Sequence, residues 1–407
     1  MGKTIVVIGN GIAALSAVEK IREQDQQSRI IMFAQEEFHT YNRLELSKRI
    51  TTAYPPEQIY VKPSEWYNEN NIELMLGVPI VSVDVENKVV TTAQQENVEY
   101  THLLLANGGS NFVPPIPGID LANVFPLRSL KDAQGIQRAT KDAQHLLLIG
   151  GGLLALELAW QFQQGGLDIT IVEMFPQLMP RQLDLESARY LEKVITDYGV
   201  TLILEGQIAQ LVGDQALTGY QLKGEEQIRP IDLCIYCTGM RSNVGLYKDS
   251  GLTINHGVVV DQHMRTNVPN VYAAGDIAEY SGRVYGLWSA AKTQGAVAGE
   301  NIVLDLSEGG TSFEATNPVT NINVFNQVIT SFGEVQPEGA VVFKEEGKDK
   351  LILKKLFFRE DRLCGGIFIN NQKEVLLVKK AVERGVEVTK AKRNSFEEVV
   401  NYLQSLA

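Results

Sequence analysis

Two glycine-rich turns, each followed at a distance by an acidic residue, carry the most chemistry in this 407-residue chain. The first is Gly9-Asn10-Gly11-Ile12-Ala13-Ala14, with Glu36 standing 27 residues after Gly9. The second is Gly150-Gly151-Gly152-Leu153-Leu154-Ala155, with Glu173 standing 23 residues after Gly150. In such a turn the first glycine permits a sharp reversal, and the second lets backbone N–H groups approach a pyrophosphate at a helix N-terminus. A carboxylate at the end of the next strand accepts the hydroxyls of a ribose. Glycines in strand-to-helix turns are common, so one such turn is weak evidence. Two in one chain point to two bound dinucleotides.

The elements that must position these residues are readable around them. Thr4–Ile8 is an apolar run of the buried parallel-strand type, followed by a helical pattern from Leu15 to about Arg22 and a second strand, Arg29 to Ala34. His145–Ile149, a helix through Gln163 and the strand Asp168–Val172 repeat the arrangement. Between the two units, Tyr41 to Lys48 starts a helix whose Arg43 could neutralise a pyrophosphate and whose Lys48 could reach a cofactor ring, although each alone reads as a solvated surface charge. Short strands then run from Glu73–Leu76 to Thr101–Leu105, ending in the small-residue turn Ala106-Asn107-Gly108-Gly109. Pro114-Pro115-Ile116-Pro117-Gly118 is a stiff linker and marks a domain boundary. The second unit continues through Thr201–Glu205 to Ile231–Gly239. Val268 to Asp276 forms a strand ending in Gly275 and Asp276, at the end of an open sheet where ligands bind, and a helix spans 288–303.

Composition bounds the rest. A chain of 407 residues with 44% hydrophobic and 21% charged residues fits two to three soluble domains. No apolar run is long enough to span a bilayer, and the first strand begins at residue 4, so a cytoplasmic protein without a leader is expected. Three cysteines argue against a disulfide framework. The Cys234-x-x-Cys237 spacing invites a redox reading, but it lies along a strand with no helix start to lower a thiol pKa, so buried core cysteines are expected. The net charge of −12 argues against nucleic acid as a partner. Residues 313–407 carry 14 Lys+Arg and 13 Asp+Glu, so the negative charge resides in residues 1–312. The C-terminal region thus offers the less repulsive face to an acidic partner.

After residue 312 the pattern changes. Alternating runs at 339–345, 350–358 and 362–369 predict a three-stranded antiparallel sheet with turns at Gly347-Lys348-Asp349 and Glu360-Asp361. Two helices follow, the last opened by Ser395 and Glu398 in capping-box spacing, with Phe396, Val399, Val400 and Leu403 on one face.

The paired units, the Tyr-Asn-Arg segment, the Ala-x-Gly turn at Ala106, the Cys-Thr-Gly turn ending at Gly239 and the Ala-Gly-Asp ending at Asp276 together resemble the two-dinucleotide-binding flavoprotein reductases. The resemblance covers essentially the whole chain and lies nearest the NAD(P)H:rubredoxin oxidoreductase and flavorubredoxin reductase branch. It implies an α/β fold with two Rossmann-like dinucleotide-binding domains, of the three-layer ββα FAD/NAD(P)-binding type, plus a small C-terminal α+β domain. The implied FAD-binding domain is discontinuous, 1–113 and 239–312, around an NAD(P)H-binding domain at 114–238, with a C-terminal interface domain at 313–407.

By the same resemblance, Gly9, Gly11, Ala14 and Glu36 hold the FAD pyrophosphate and adenosine ribose, and Ile80 gives the backbone contact to adenine. Arg43, Lys48, Ala106, Gly108, Arg128, Gly239, Gly275, Asp276 and Trp288 complete the flavin site, with Asp276 on the ribityl chain and Trp288 opening a helix against the pyrimidine edge. Asn107 and Glu45 depart from the family pattern. Gly150, Gly152, Ala155 and Glu173 hold NADH, and the carboxylate of Glu173 disfavours NADPH. Glu157 and Lys48 are implied as a catalytic ion pair that opens and re-forms as nicotinamide enters. The family's reactive cysteines are missing from their places, which excludes thiol chemistry at the flavin.

The implied activity is hydride transfer from NADH to FAD, then release of single electrons to a small carrier such as rubredoxin. An NADH oxidase using oxygen and a non-enzymatic FAD/NAD-binding sensor are the rival expectations. A monomer or homodimer without a metal, membrane or nucleic-acid partner is expected.

Overall fold

Thr4–Ile8 is the central strand of a five-stranded parallel sheet ordered Val271–Ala273, His102–Leu105, Thr4–Ile8, Arg29–Phe33 and Ile72–Met75. A parallel strand covered on both faces must be apolar throughout, which is why Ile5, Val6 and Val7 are wholly buried. One face carries the helix Ile12–Gln24, which crosses the helix Trp288–Leu304 with backbone touching backbone. A Cβ on Gly295 would lie 2.1 Å from the Ala13 carbonyl oxygen, and one on Gly299 2.3 Å from that of Ala17. Small residues on both helices permit this approach. The antiparallel sheet Ile80–Asp84, Val89–Thr92 and Asn97–Glu99 adds Val83 and Val90 to the same core, giving the layered ββα arrangement. The computed structural model describes residues 2–304, 310–315, 319–347, 352–392 and 394–406.

The second glycine turn belongs to an equivalent sheet ordered Thr201–Ile203, Asp168–Val172, His145–Ile149, Leu233–Tyr236 and Val124–Phe125, again parallel. A small antiparallel sheet, Ile208–Val212, Gly219–Leu222 and Ile228–Pro230, shares its core through Leu211, Tyr220 and Leu222.

The C-terminal sheet has five strands where the alternating pattern predicted three: Val319–Val324, Gln327–Gly333, Arg362–Ile369, Leu353–Arg359 and Val341–Glu346, all antiparallel. The missed hairpin, 319–333, carries Asn321 and Asn323, poor strand formers. It turns on Phe325-Asn326, both at positive φ (50° and 58°), with no Asn-Gly signal to mark it. Of the expected turn at Gly347-Lys348-Asp349, Lys348 and Asp349 lie outside the described residues. The helices Val375–Glu383 and Phe396–Ser405 cover one face, and Ser395 caps the latter by accepting from the Glu398 N–H at 3.1 Å.

The packing divides the chain into two units rather than three: Met1–Glu45, Ala53–Phe112 and Gly239–Ala315 in the first, and Leu46–Thr52, Val113–Thr238 and Thr316–Ala407 in the second. Two differences from the expected division stand out. The C-terminal sheet packs with the second glycine-turn sheet, and Leu46–Thr52 leaves the first unit for the second. Phe325, fully buried at the hairpin tip, lies 5.2 Å from the Trp160 ring and 5.6 Å from that of Tyr198. Lys355, 1% exposed, places its Nζ 2.6 Å from both the Asp184 and the Glu186 carboxylates.

Candidate functional site

In the first unit the chain leaves Thr4–Ile8 through Gly9 at φ +111°, against the Ala106 backbone, so that any Cβ there would strike the Ala106 carbonyl. Gly11 then opens the helix Ile12–Gln24 with no side-chain cap, and nothing lies within 4 Å of where its Cβ would be. Unpaired N–H groups of a first helical turn facing open space form an anion site. The second unit repeats this closely. Gly150 has φ +104° and packs on the Cys237 carbonyl, and Gly152 opens the uncapped helix Leu153–Gln164 with nothing within 4 Å of its Cβ position. Ala14 and Ala155 are wholly buried inside these first turns, where the helices lie against their sheets.

Glu36 is brought together with Tyr41, Arg43 and Asp276. Arg43 Nη2 donates to Glu36 Oε1 at 2.6 Å, and the Tyr41 hydroxyl to Oε2 at 2.8 Å. Desolvation weakens the charge on Arg43, but Tyr41, Glu36 and Asp276 outweigh it and hold the guanidinium above its ordinary pKa. Each Glu36 oxygen keeps acceptor capacity beyond the one bond it takes, so a ribose can still bind there. Arg43, expected on a pyrophosphate, is paired here with the Glu36 carboxylate.

Gly275, at φ +81°, donates its N–H to Gln294 Oε1 at 2.9 Å, which fixes the turn before Asp276. The Nε2 of Gln294, 1% exposed, has no protein acceptor among the described residues. An open helix turn and a buried donor awaiting an acceptor are what a phosphate- and hydroxyl-rich ligand needs, so the first unit fits FAD. Asn107, where the family pattern has threonine, has a clear part here: its side chain donates to the Asn243 carbonyl at 3.1 Å and accepts from the buried Tyr247 hydroxyl at 2.9 Å. A threonine has no carboxamide to bridge both. That lock holds Ala106 and Gly108, the latter at φ +64°.

Ile80 begins the strand Ile80–Asp84, Trp288 begins the helix Trp288–Leu304, and Gly239, at φ +93°, accepts from Phe112 N–H at 2.9 Å. Arg128 falls in the second unit, just before the helix Leu130–Thr140 and its Ser129–Asp132 capping box. The Glu45 that departs from the family pattern is the first residue of the helix Glu45–Lys48.

In the second unit Glu173 is buried against the glycine turn. Oε2 accepts from Gly151 N–H at 2.6 Å and Oε1 from Phe175 N–H at 2.8 Å, so the carboxylate braces the turn. Glu157 departs from expectation. Its direct partner is Ser47, whose hydroxyl donates to Oε2 at 2.6 Å, and among the described residues Lys48 forms no ion pair with it. Burial pushes the Glu157 carboxyl pKa up, while the Ser47 bond and the more distant Lys48 charge oppose that rise. Ser47 belongs to the stretch Tyr41 to Lys48; its signal is a small polar residue beside Leu46 on the buried side of a short helix.

Cys234 is buried and Cys237 half-buried, and burial raises both thiols, that of Cys237 to about 12. Neither is a nucleophile at neutral pH. Among the described residues no cluster of side chains suits a metal ion, and no helix is long and apolar enough to cross a membrane.

Two uncapped glycine turns on parallel sheets, each followed by a carboxylate at the end of the next strand, are the arrangement of a protein that binds two dinucleotides. The family profile described as pyridine nucleotide-disulphide oxidoreductase matches residues 3–295, and the chain belongs to that family. FAD and a pyridine nucleotide are the cofactors of that family. A second profile, the rubredoxin NAD+ reductase C-terminal domain, matches residues 318–386. The chain is 32% identical to a nitrite reductase [NAD(P)H] of Bacillus subtilis over 91% of this chain and 46% of that one. It is 33% identical to a nitric oxide reductase FlRd-NAD(+) reductase of Citrobacter koseri, over 70% and 74% of the two chains. The NADH:rubredoxin oxidoreductase of Clostridium acetobutylicum superposes with a TM-score of 0.82 at 25% identity, covering 99% of this chain and all of that one. The chain spans about half the length of its Bacillus subtilis relatives.

Proposed function

We propose that this chain is an FAD-dependent NADH oxidoreductase that delivers single electrons to a small iron carrier of the rubredoxin type. The observation that carries the reading is the duplicated cradle: Gly11 and Gly152 each stand before an uncapped helix with open space where a Cβ would be. When bound, FAD takes a hydride from NADH and can give the two electrons up one at a time.

The chain's own residues hold and orient. The N–H groups of the two first turns bind the pyrophosphates, Glu36 and Glu173 the adenosine riboses, and Asp276 the ribityl chain. The Ala106–Gly108 turn, locked by Asn107, and the Gly275 turn, locked by Gln294, fix the walls of the flavin site. Gly239 and Trp288 add backbone and edge contacts to it, and Ile80 the backbone contact to adenine. Lys48 supplies positive charge where negative charge accumulates, and Glu157 orients the nicotinamide end. Glu173 repels a 2′-phosphate, which favours NADH over NADPH. No thiol accepts an electron pair, since the chain's three cysteines, Cys234, Cys237 and Cys364, lie outside the family's reactive positions. The profile of residues 318–386 and the near-neutral charge of the C-terminal region support an acidic protein as the acceptor.

The test is rapid mixing of the FAD-loaded protein with NADH under nitrogen. The visible flavin band should bleach with no lasting thiolate charge-transfer band, and an added rubredoxin should then be reduced. Rubredoxin reduction no faster than with free FAD overturns the carrier role, and carrier-free oxygen consumption at full turnover would mark an oxidase. Failure of NADH to bleach the band at all would mark a sensor.

A further inference from the structure

The carboxyl of Glu157 lies two residues beyond Ala155, in the first turns of the helix whose N–H groups face the second dinucleotide site. Ser47 reaches it from the other end of the sequence. Its side chain is 4% exposed and its hydroxyl donates to Glu157 Oε2 at 2.6 Å. This contact is not a chance approach of a loose loop. The same short segment is held a second time, where the Gln137 side-chain amide donates to the Arg49 carbonyl at 3.3 Å and also to the Thr52 carbonyl. Leu46–Thr52 is therefore a strap fastened to the second unit near both ends.

A hydroxyl has one proton to give, and a bond to a buried carboxylate favours the charged form and fixes its rotamer. Burial acts the other way on Glu157. The one charged group among the described residues that bears on its ionisation is Lys48, on the helix Glu45–Lys48. The strands packed against the Glu157 helix, Val319–Val324, Asp168–Val172 and His145–Ile149, contribute no charge that shifts it.

We propose that Ser47 is the positioning residue of Glu157: its hydroxyl holds the carboxylate beside the nicotinamide dinucleotide site, and Lys48 serves as a distant counter-charge. The proposal rests on the reading of Glu157 as the group that orients nicotinamide. The consequence is that loss of the Ser47 hydroxyl releases the carboxylate and makes it a weaker acid, more so than loss of the Lys48 charge.

The test is a pH titration of the Glu157 carboxyl by carbon-13 NMR in the FAD-loaded protein labelled at glutamate, with Glu157→Gln to assign the signal. Ser47→Ala should make the carboxyl about tenfold weaker as an acid. Ser47→Thr should restore it, and Lys48→Met should produce a smaller shift in the same direction. In parallel, the pH profile of flavin reduction by NADH should move upward in Ser47→Ala, and the KM for NADH should rise more than kcat falls. Ser47→Cys, of similar size with a weak donor, carries the same expectation if the alanine variant does not fold. A titration midpoint unchanged in Ser47→Ala, or moved further by Lys48→Met, overturns the proposal. The titration needs no turnover, so a protein that NADH cannot reduce would sink the functional reading and leave the Ser47 result standing.

Discussion

Gly9 and Ala106 meet so closely that a methyl group on the glycine would sit 2.3 Å from the alanine carbonyl oxygen. Gly11, two residues on, faces nothing within 4 Å. The two glycines of one turn therefore differ: the first lets two backbones meet, and the second leaves open space before a helix N-terminus. Gly9→Ala should cost about 2–4 kcal/mol of stability, from the clash and from a positive φ. Gly11→Ala should cost no more than about 1 kcal/mol, as a poorer helix cap, yet weaken FAD binding about tenfold or more. Thermal melts of the flavin-free protein and flavin titration by fluorescence quenching separate the two. Equal loss of stability in both variants would contradict the assignment.

Glu173 should decide which nicotinamide dinucleotide is preferred. Glu173→Gln keeps an oxygen to accept one backbone N–H and removes the charge, so the ratio of kcat/KM for NADH over NADPH should fall about tenfold. Because Gly151 N–H leans on the carboxylate at 2.6 Å, the KM for NADH should also rise somewhat. Steady-state rates with both nucleotides read this directly, and an unchanged ratio would remove Glu173 from the ribose site.

Much of this site was legible in the sequence, and the reason is local. Gly9, Gly11, Gly150 and Gly152 stand in strand-to-helix turns with a recognisable local spacing, and the apolar runs Thr4–Ile8 and His145–Ile149 ahead of them read as buried parallel strands. What escaped reading depended on contacts distant in sequence. Asn107 makes sense only beside Asn243 and Tyr247, and Ser47 only beside Glu157, 110 residues away. The 319–333 hairpin was hidden because its asparagines obey sheet pairing rather than their own propensity.

Lys355 and Lys344 provide a contrast between buried and exposed ion pairs on one carboxylate. Both reach Glu186 at 2.6 Å, but Lys355 is 1% exposed and Lys344 37%. Lys355→Ala strands Asp184 without its buried partner and should cost about 3–5 kcal/mol. Lys344→Ala should cost less than about 1 kcal/mol. Chemical denaturation of both variants checks the difference, and similar midpoints would refute it.

Alkylation tests the reading of the thiols. With Cys234 and Cys237 held protonated by burial, iodoacetamide at neutral pH should leave both unmodified, with Cys364 the first to react if any does. NADH-driven bleaching should be unaffected. Peptide mass mapping with activity measured on the same sample would expose a reactive pair.

The aromatic plug at Phe325 bears on engineering. Because that ring fills a socket made by Trp160 and Tyr198, the C-terminal domain is not a detachable cartridge. Grafting a foreign C-terminal domain onto this chain would require transplanting the socket with its plug. Truncating the chain ahead of the hairpin would uncover a sticky aromatic pit and favour aggregation.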